Sequence, residues 1–295
     1  MQHTQCYLCT SKNISPLVGF EKHQLGKCSN CDFVFMLRIP TTEELVIHYK
    51  KYSYGDVNAK AKLSPLTVES FNRLLDYFEK YRKNNTLLDV GCGRGYLLEI
   101  AKNRGWKVYG TEFSEEAVDI CERKGITMHQ GVLSLDVFKN IEFDVIVSLE
   151  VIEHINNPNQ ELEIINSKLR KGGLFYITTP NFNGYLRYQL KSAYNVIEYP
   201  EHLSYYTKTT LNRVLNKNGF KKIKMEATGV SITRKEQSKK TTQATENPPP
   251  PTISSDEKLR EVMTKNKLMV FTKQFVNKLL SITGLGLTLK GYYTK

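Results

Sequence analysis

Four cysteines stand as two pairs, Cys6-x2-Cys9 and Cys28-x2-Cys31, with 18 residues between the pairs. Each CxxC turn aims two sulfurs at one point, and a tetrahedral Zn2+ bound by four thiolates would close the loop between the turns. Four thiolates leave no open coordination position, so the expected ion is structural. Disulfide pairing is the competing reading, which a reducing compartment disfavours. Cys92 and Cys121 fall outside this spacing and are expected to be buried side chains. A second constellation is Glu150-Val151-Ile152-Glu153-His154, whose i, i+3, i+4 spacing brings Glu150, Glu153 and His154 to one face if the segment coils into a helical turn. His202 follows in YPEHLSYYT. Two carboxylates and two imidazoles could hold a divalent ion such as Mg2+ or Mn2+ and leave positions open for oxygen ligands. The plainer alternative is that Glu153 and His154 cap a loop while His202 alone accepts a proton.

A third pattern is LLDVGCGRGYLLEIA, in which Asp89 ends an apolar run and Gly91, Gly93 and Gly95 precede an amphipathic stretch. Such glycines let backbone approach a ligand closely, and the helix start behind them offers free N–H groups. The spacing is GxGxG, one residue shorter than the dinucleotide fingerprint that fixes a pyrophosphate. Glu112 ends the next apolar run, where a carboxylate can accept both hydroxyls of a ribose, and Phe113 beside it could lie against an adenine ring. A tight turn in any α/β protein would account for the glycines alone.

These residues need elements to hold them. Short apolar runs at 86–90, 107–111, 126–130, 143–149 and 174–180 alternate with amphipathic stretches near 95–104, 115–123 and 159–170. This alternation predicts a parallel sheet covered by helices on both faces. Thr41 and Thr42 before Glu43 and Glu44 form a capping pattern, Ser64-Pro65 opens a helix, and Gly219 stops another that starts at Thr209. Residues 235–256, rich in proline and polar side chains, are expected to be a linker. An amphipathic basic helix from Glu257 to Ile282 and a closing strand, TLKGYYT, are expected after it. The helix stripe of Leu268, Phe271, Phe275, Leu279 and Ile282 is expected to dock on the catalytic domain or a second subunit, with peripheral membrane contact as the lesser reading. The organisation is then a zinc module (1–40), a helical connection (41–84), a ligand-binding domain (85–234), the linker, and a C-terminal segment (257–295).

The 295 residues are 40% hydrophobic and 24% charged, which excludes a wholly disordered, collagen-like or coiled-coil chain. No apolar run reaches the ~18 to 20 residues of a bilayer span, and the first residues lack a secretory signal pattern. A cytoplasmic location is expected. Half of the net charge of +12 sits from residue 235 onward, where it could meet nucleic acid or an anionic surface, though a solvated lysine-rich segment is the commoner cause.

Asp89, the GxGxG loop and Glu112 in combination resemble the class I S-adenosylmethionine-dependent methyltransferases, over roughly residues 65–234 and the closing strand. The resemblance implies a Rossmann-like seven-stranded α/β sheet of order 3-2-1-4-5-7-6, with the seventh strand antiparallel. It implies S-adenosylmethionine held by Asp89, Gly91, Gly93, Gly95, Glu112 and Phe113. Many relatives carry an acidic residue after the third strand to hold the adenine amino group, whereas here Gly131-Val132-Leu133-Ser134 stands there, leaving that contact to backbone groups and Leu133. The EVIEH segment with a later histidine is similar to metal-dependent 2'-O-methyltransferases of small RNAs and to ubiquinone-pathway O-methyltransferases. Carried over, Glu150, Glu153, His154 and His202 would hold Mg2+ or Mn2+, with His202, His154 and Glu153 as the catalytic set. A zinc module before such a domain resembles bacterial sugar- and glycan-modifying methyltransferases, including sugar C-methyltransferases, which are longer. The leading expectation is methylation of a hydroxyl on a saccharide or other small molecule, in polysaccharide biosynthesis or a related process. RNA-end methylation, sugar C-methylation and a non-enzymatic recruiting module are the alternatives, and a homodimer is an open expectation.

Overall fold

The computed structural model describes residues 2–41, 43–45, 63–231 and 267–295, and the side chains at 267–271, 273 and 274 fall outside that description. The cysteine-rich segment forms three short antiparallel strands, β1 (Ile14–Pro16), β2 (Leu25–Cys28) and β3 (Val34–Met36). Strands this short bury too little to stand alone. Beyond them, the Thr41 N–H donates to Glu44 Oε2 at 2.9 Å and the Glu44 N–H to Thr41 Oγ1 at 3.2 Å, the reciprocal capping the sequence predicts. The helix expected to continue from there, the 235–256 linker and the first ten residues of the expected C-terminal helix (257–266) lie outside the described residues.

Ser64 caps α1 (Pro65–Phe78) by accepting the Thr67 N–H at 3.2 Å, with proline at the first helical position where its missing N–H costs nothing. The chain then alternates through β4 (Thr86–Val90), α2 (Tyr96–Asn103), β5 (Lys107–Glu112), α3 (Glu115–Arg123), β6 (Thr127–Gln130), β7 (Phe143–Leu149), α4 (Asn159–Lys168) and β8 (Leu169–Pro180). It continues through α5 (Tyr185–Leu190), β9 (Ser204–Tyr205), α6 (Lys208–Lys217), β10 (Lys221–Thr228), α7 (Lys267–Thr283) and β11 (Thr288–Thr294).

Seven strands make one sheet in the order β10-β11-β8-β7-β4-β5-β6. Strands β8, β7, β4, β5 and β6 run parallel, and β11 lies antiparallel between β8 and β10. This is the 3-2-1-4-5-7-6 order implied by the resemblance. The central strand β7 shows why the sheet is double-faced. Its Val145 and Val147 pack with α1 and α2, while Ile146 between them packs with α4 and α6, the alternation of a strand buried on both sides, and a register shift between Phe143 and Val145 puts Phe143 on the side of Ile146. Asp144, fully buried on that strand, holds the chain before β4 by accepting the Lys83 and Asn84 N–H groups at 2.8 and 2.6 Å and pairing with Arg170 at 2.5 Å.

A second sheet, β1-β2-β3-β9, ties the N-terminal segment to the domain that follows. Val34 pairs with Tyr205 and Phe35 with Ser204, so a strand from beyond β8 completes the cysteine-rich module. Phe33, Phe35 and Tyr206 share a core with Leu211, Val214 and Leu215 of α6. Polar contacts reinforce the junction: Arg213 donates to the Cys31 carbonyl, Lys217 to the Leu8 carbonyl and Asn159 to the Tyr7 carbonyl.

Of the two docking expectations for the α7 stripe, the one on the catalytic domain is not met by its three described side chains, Leu268 and Phe271 lying outside that description. Phe275, Leu279 and Ile282 are exposed by 62, 53 and 73%. The face turned to β10 carries two polar contacts: Asn277 accepts the Gly229 N–H and Ser281 Oγ accepts the Ala227 N–H, pairing the end of the strand. No described helix is long and apolar enough to cross a membrane.

Candidate active site

The glycine loop lies at the carboxyl end of β4, the edge of a parallel sheet where ligands bind. Gly91 and Gly95 have φ of +70° and +66°, and a Cβ at either would lie 2.7 Å from Val151 Cγ2 or Cys121 Sγ, so both left-handed geometry and close packing demand glycine there. Gly93 points its N–H to Glu112 Oε2 at 2.9 Å, while Glu112 Oε1 accepts the Phe113 N–H at 2.8 Å. The carboxylate at the end of β5 is thus folded against the loop, poised over the start of α2. Asp89 is buried beneath, its Oδ1 without a hydrogen-bond partner, and burial raises its carboxyl well above the usual range, with Cys121 and Glu112 adding to the effect. An orphaned buried oxygen next to a side-chain-free loop fits a polar ligand group arriving from above.

Phe113 stands out at 61% exposure, open to a flat ring. Leu133 does not share that surface. It is 3% exposed in the main core, whereas its neighbour Val132 is 58% exposed, so of the two it is Val132 that is free to meet a base. Sequence alternation alone could not tell which of the two adjacent residues turned inward.

Beyond β7, the EVIEH segment forms a single 3-10 turn, Ile152–His154, in place of an α-helical turn. The two acidic residues therefore part. Glu150 takes a left-handed φ of +56° and is exposed, while Glu153 is 2% exposed. Ligand atoms of Glu153, His154 and His202 all lie within 4.8 Å of one another; Glu150 does not belong to that group. Each imidazole is held from behind: His154 Nδ1 donates to the Glu201 carbonyl at 2.7 Å and His202 Nδ1 to the Val196 carbonyl at 2.6 Å. That fixes the tautomer and leaves both Nε2 lone pairs available. The rings meet edge-on with centroids 4.8 Å apart. Glu153 Oε2 accepts the Thr179 hydroxyl at 2.8 Å, and its Oε1 is buried without a partner.

Burial, with His202 alongside, lowers His154 to about 4, so the ring is neutral at pH 7. Burial also pushes the Glu153 carboxyl well above its usual range, and the charge of Glu150 adds to that. The neutral His154 ring, the His202 imidazole and an orphaned buried carboxyl oxygen form a three-ligand set of the two-histidine, one-carboxylate type. A divalent ion bound there would relieve the buried oxygen and draw the carboxyl into its ionised form. Thr179 and the Val196 and Glu201 carbonyls, which orient these three side chains, carry no signal in the sequence.

In the N-terminal module the four sulfurs also lie within 4.8 Å of one another, with Cys6 to Cys31 at 3.6 Å and Cys9 to Cys28 at 3.5 Å. A disulfide needs about 2.05 Å, while sulfurs around a tetrahedral Zn2+ at about 2.3 Å would stand roughly 3.8 Å apart. The set fits the ion. Outside it, Cys121 is buried and Cys92 partly so, both as free thiols.

The aromatic side chains between β8 and α6 mostly pack. Phe182, Tyr194, Tyr205 and Tyr206 are buried, and among Tyr185, Tyr188 and Tyr199 it is Tyr188 that is most exposed, at 55%.

Residues 62–225 match the profile of a methyltransferase domain family. The chain is 31% identical over 108 residues to the ubiquinone biosynthesis O-methyltransferase of Pelagibacter ubique, covering 35% of this chain and 45% of that protein. It is 29% identical over 139 residues to the enzyme of the same name from Coxiella burnetii, covering 44% and 59%. The matches thus span about half the length of these curated relatives. A solved S-adenosylmethionine-dependent methyltransferase from Archaeoglobus fulgidus shares the fold with a TM-score of 0.51 at 20% identity, over 85% of this chain and 99% of that one. With the strand order, the glycine loop and the match over more than half of its length, the chain belongs to the methyltransferase domain family.

Proposed function

We propose that the protein transfers a methyl group from S-adenosylmethionine to a substrate hydroxyl, with Glu153, His154 and His202 holding a divalent cation beside the reacting oxygen. The observation that carries this reading is the convergence of two Nε2 lone pairs and an orphaned Glu153 oxygen within 4.8 Å. The O-methyltransferase names of the relatives support an oxygen acceptor. Bound at the glycine loop, S-adenosylmethionine supplies a sulfonium methyl group open to in-line attack.

This chain's residues do the rest. Glu112 releases the Gly93 N–H and accepts the ribose hydroxyls, Phe113 and Val132 cover the adenine, and the Asp89 oxygen receives a donor from the ligand's polar end. A hydroxyl is a poor nucleophile at pH 7, and a divalent ion held by Glu153, His154 and His202 would lower its pKa. With both Nε2 atoms committed to the ion and both Nδ1 atoms donating to carbonyls, the hydroxyl proton would pass to solvent water. Cys6, Cys9, Cys28 and Cys31 hold a structural Zn2+. The acceptor is a small hydroxyl compound, with a saccharide as the leading class.

Replacing Glu112 by Ala is expected to weaken S-adenosylhomocysteine binding at least tenfold, measured by calorimetry, while melting temperature changes little. Unchanged affinity would remove Glu112 from the donor site. The metal is tested by elemental analysis after dialysis against Mn2+ with S-adenosylhomocysteine present. One zinc and one manganese per chain are expected, with only manganese lost in Glu153→Gln and retained in Glu150→Gln. Zinc alone in every sample would refute the cation and leave the histidines as metal-free bases.

A further inference from the structure

A cavity of ≈ 170 Å³ opens between the N-terminal module and the loop that carries His202, lined by Lys22, His23, Gln24, Met36, Arg38 and Tyr199. We propose that it receives a phosphoryl group of the acceptor, so that the methylated compound is a phosphate-bearing small molecule. The proposal rests on the methyltransferase reading and names the substrate class of that same site.

The lining is chosen for an anion. Lys22 is exposed and has no acidic partner among the described residues. The Arg38 guanidinium lies over the Tyr199 ring, 4.8 Å from its centroid, and one edge of it pairs with Glu44. Glu44 also accepts the Tyr199 hydroxyl at 3.1 Å. This carboxylate offsets the Arg38 charge and leaves Lys22 as the net cation, but it fixes the plane of the fork, and a guanidinium has five N–H donors to distribute. His23 donates from Nε2 to the Ser192 carbonyl at 2.7 Å, tying the cavity's floor to the segment before His202. A phosphoryl group offers several oxygens and can engage a lysine and an arginine together, which one carboxylate oxygen pair does less well. The volume is several times what one water needs. Met36 adds an apolar wall for whatever carries the phosphate.

Position links this cavity to the chemistry. Tyr199 precedes His202 by three residues, so their Cα atoms are within roughly 10 Å of one another even for an extended chain. The His202 N–H donating to the Glu198 carbonyl at 2.7 Å closes a turn that shortens this span. His202 does not itself line the cavity, so an acceptor with its phosphate at Lys22 and Arg38 would have to span from there to His202 with its hydroxyl end. On this reading the cysteine-rich module supplies an acceptor subsite as well as a scaffold.

The test is calorimetry of the full chain with inorganic pyrophosphate at low ionic strength, under saturating S-adenosylhomocysteine. Binding is expected, at least tenfold weaker in Lys22→Gln/Arg38→Gln and retained in His154→Ala/His202→Ala, which separates it from an anion drawn to a cation at the histidines. Should Arg38→Gln loosen the module, Lys22→Gln alone must still weaken binding at least threefold. Equal affinity in wild type and the cavity variants would overturn the proposal, as would loss of binding in the histidine variant. S-adenosylhomocysteine bound without pyrophosphate overturns this proposal alone; wild type binding neither overturns the methyltransferase reading with it.

Discussion

Replacing His202 by Ala is expected to lower methyl transfer by about 10²- to 10⁴-fold, the range over which a positioned proton acceptor or activating group acts, while S-adenosylhomocysteine affinity stays within twofold of wild type. The separation follows from geometry. His202 is held by the Val196 carbonyl on the acceptor side, and no hydrogen bond joins it to Asp89, Glu112 or the glycine loop among the described residues. Glu153→Gln should give a loss of similar size by a different route. The amide keeps an acceptor for the Thr179 hydroxyl but cannot supply the charge a cation requires. Its stability profile is a second readout. Because the native carboxyl titrates above its unfolded value, ionising it opposes folding as pH rises, so without metal wild type should lose stability from about pH 4.5 upward through the raised pKa. The Gln variant should lose less over that window in denaturant titrations. Wild-type turnover in either variant would remove the cluster from the reaction.

Cys28→Ser is expected to release the zinc and, despite its distance from the glycine loop, to cost most of the activity. Cys28 is fully buried at the end of β2, and four-thiolate zinc sites contribute folding free energy directly. The damage should spread along one route. Strand β2 pairs with β3, β3 pairs with β9, and β9 begins two residues after His202. Losing the module's order therefore frees the segment that aims His202 while leaving β4 and β5 intact. Zinc content, near-ultraviolet circular dichroism, S-adenosylhomocysteine binding and turnover, read on one preparation, should show loss, loss, retention and loss. Full turnover in zinc-free protein would show that the module is not needed to position the acceptor side.

Much of this architecture was legible in the residues. Strands at 86–90, 143–149 and 288–294 are read from sequence with the observed bounds; the first two are the near-continuous apolar runs of buried parallel strands. The four cysteines and the GxGxG loop are similarly plain, since each is a local pattern whose chemistry depends on spacing. What stayed hidden is what a tertiary contact decides. Spacing places Glu150 with Glu153, but a 3-10 turn with a left-handed residue before it turns them apart. Leu133 and Val132 are adjacent and equally apolar, and the packing of the loop after β6 selects Leu133 for the core. The α7 stripe offers docking on the catalytic domain or a second subunit, and on the domain it is instead two side-chain caps on β10, from Asn277 and Ser281, that attach the face opposite Phe275, Leu279 and Ile282. The pairing of β3 with β9 joins segments about 170 residues apart along the chain, and two residues of strand carry no readable pattern.

Strand β11 follows every other strand of its sheet in the chain, yet its place is in the sheet's interior, between β8 and β10. Until residues 288–294 emerge, both neighbours present unpaired edges to whatever else is in solution, and β8 is a long one at 12 residues. The nascent chain thus carries a gap that only its own later sequence can fill. Translation stalled before residue 288 would leave a species prone to aggregate and dependent on chaperones, however well the glycine loop had already formed.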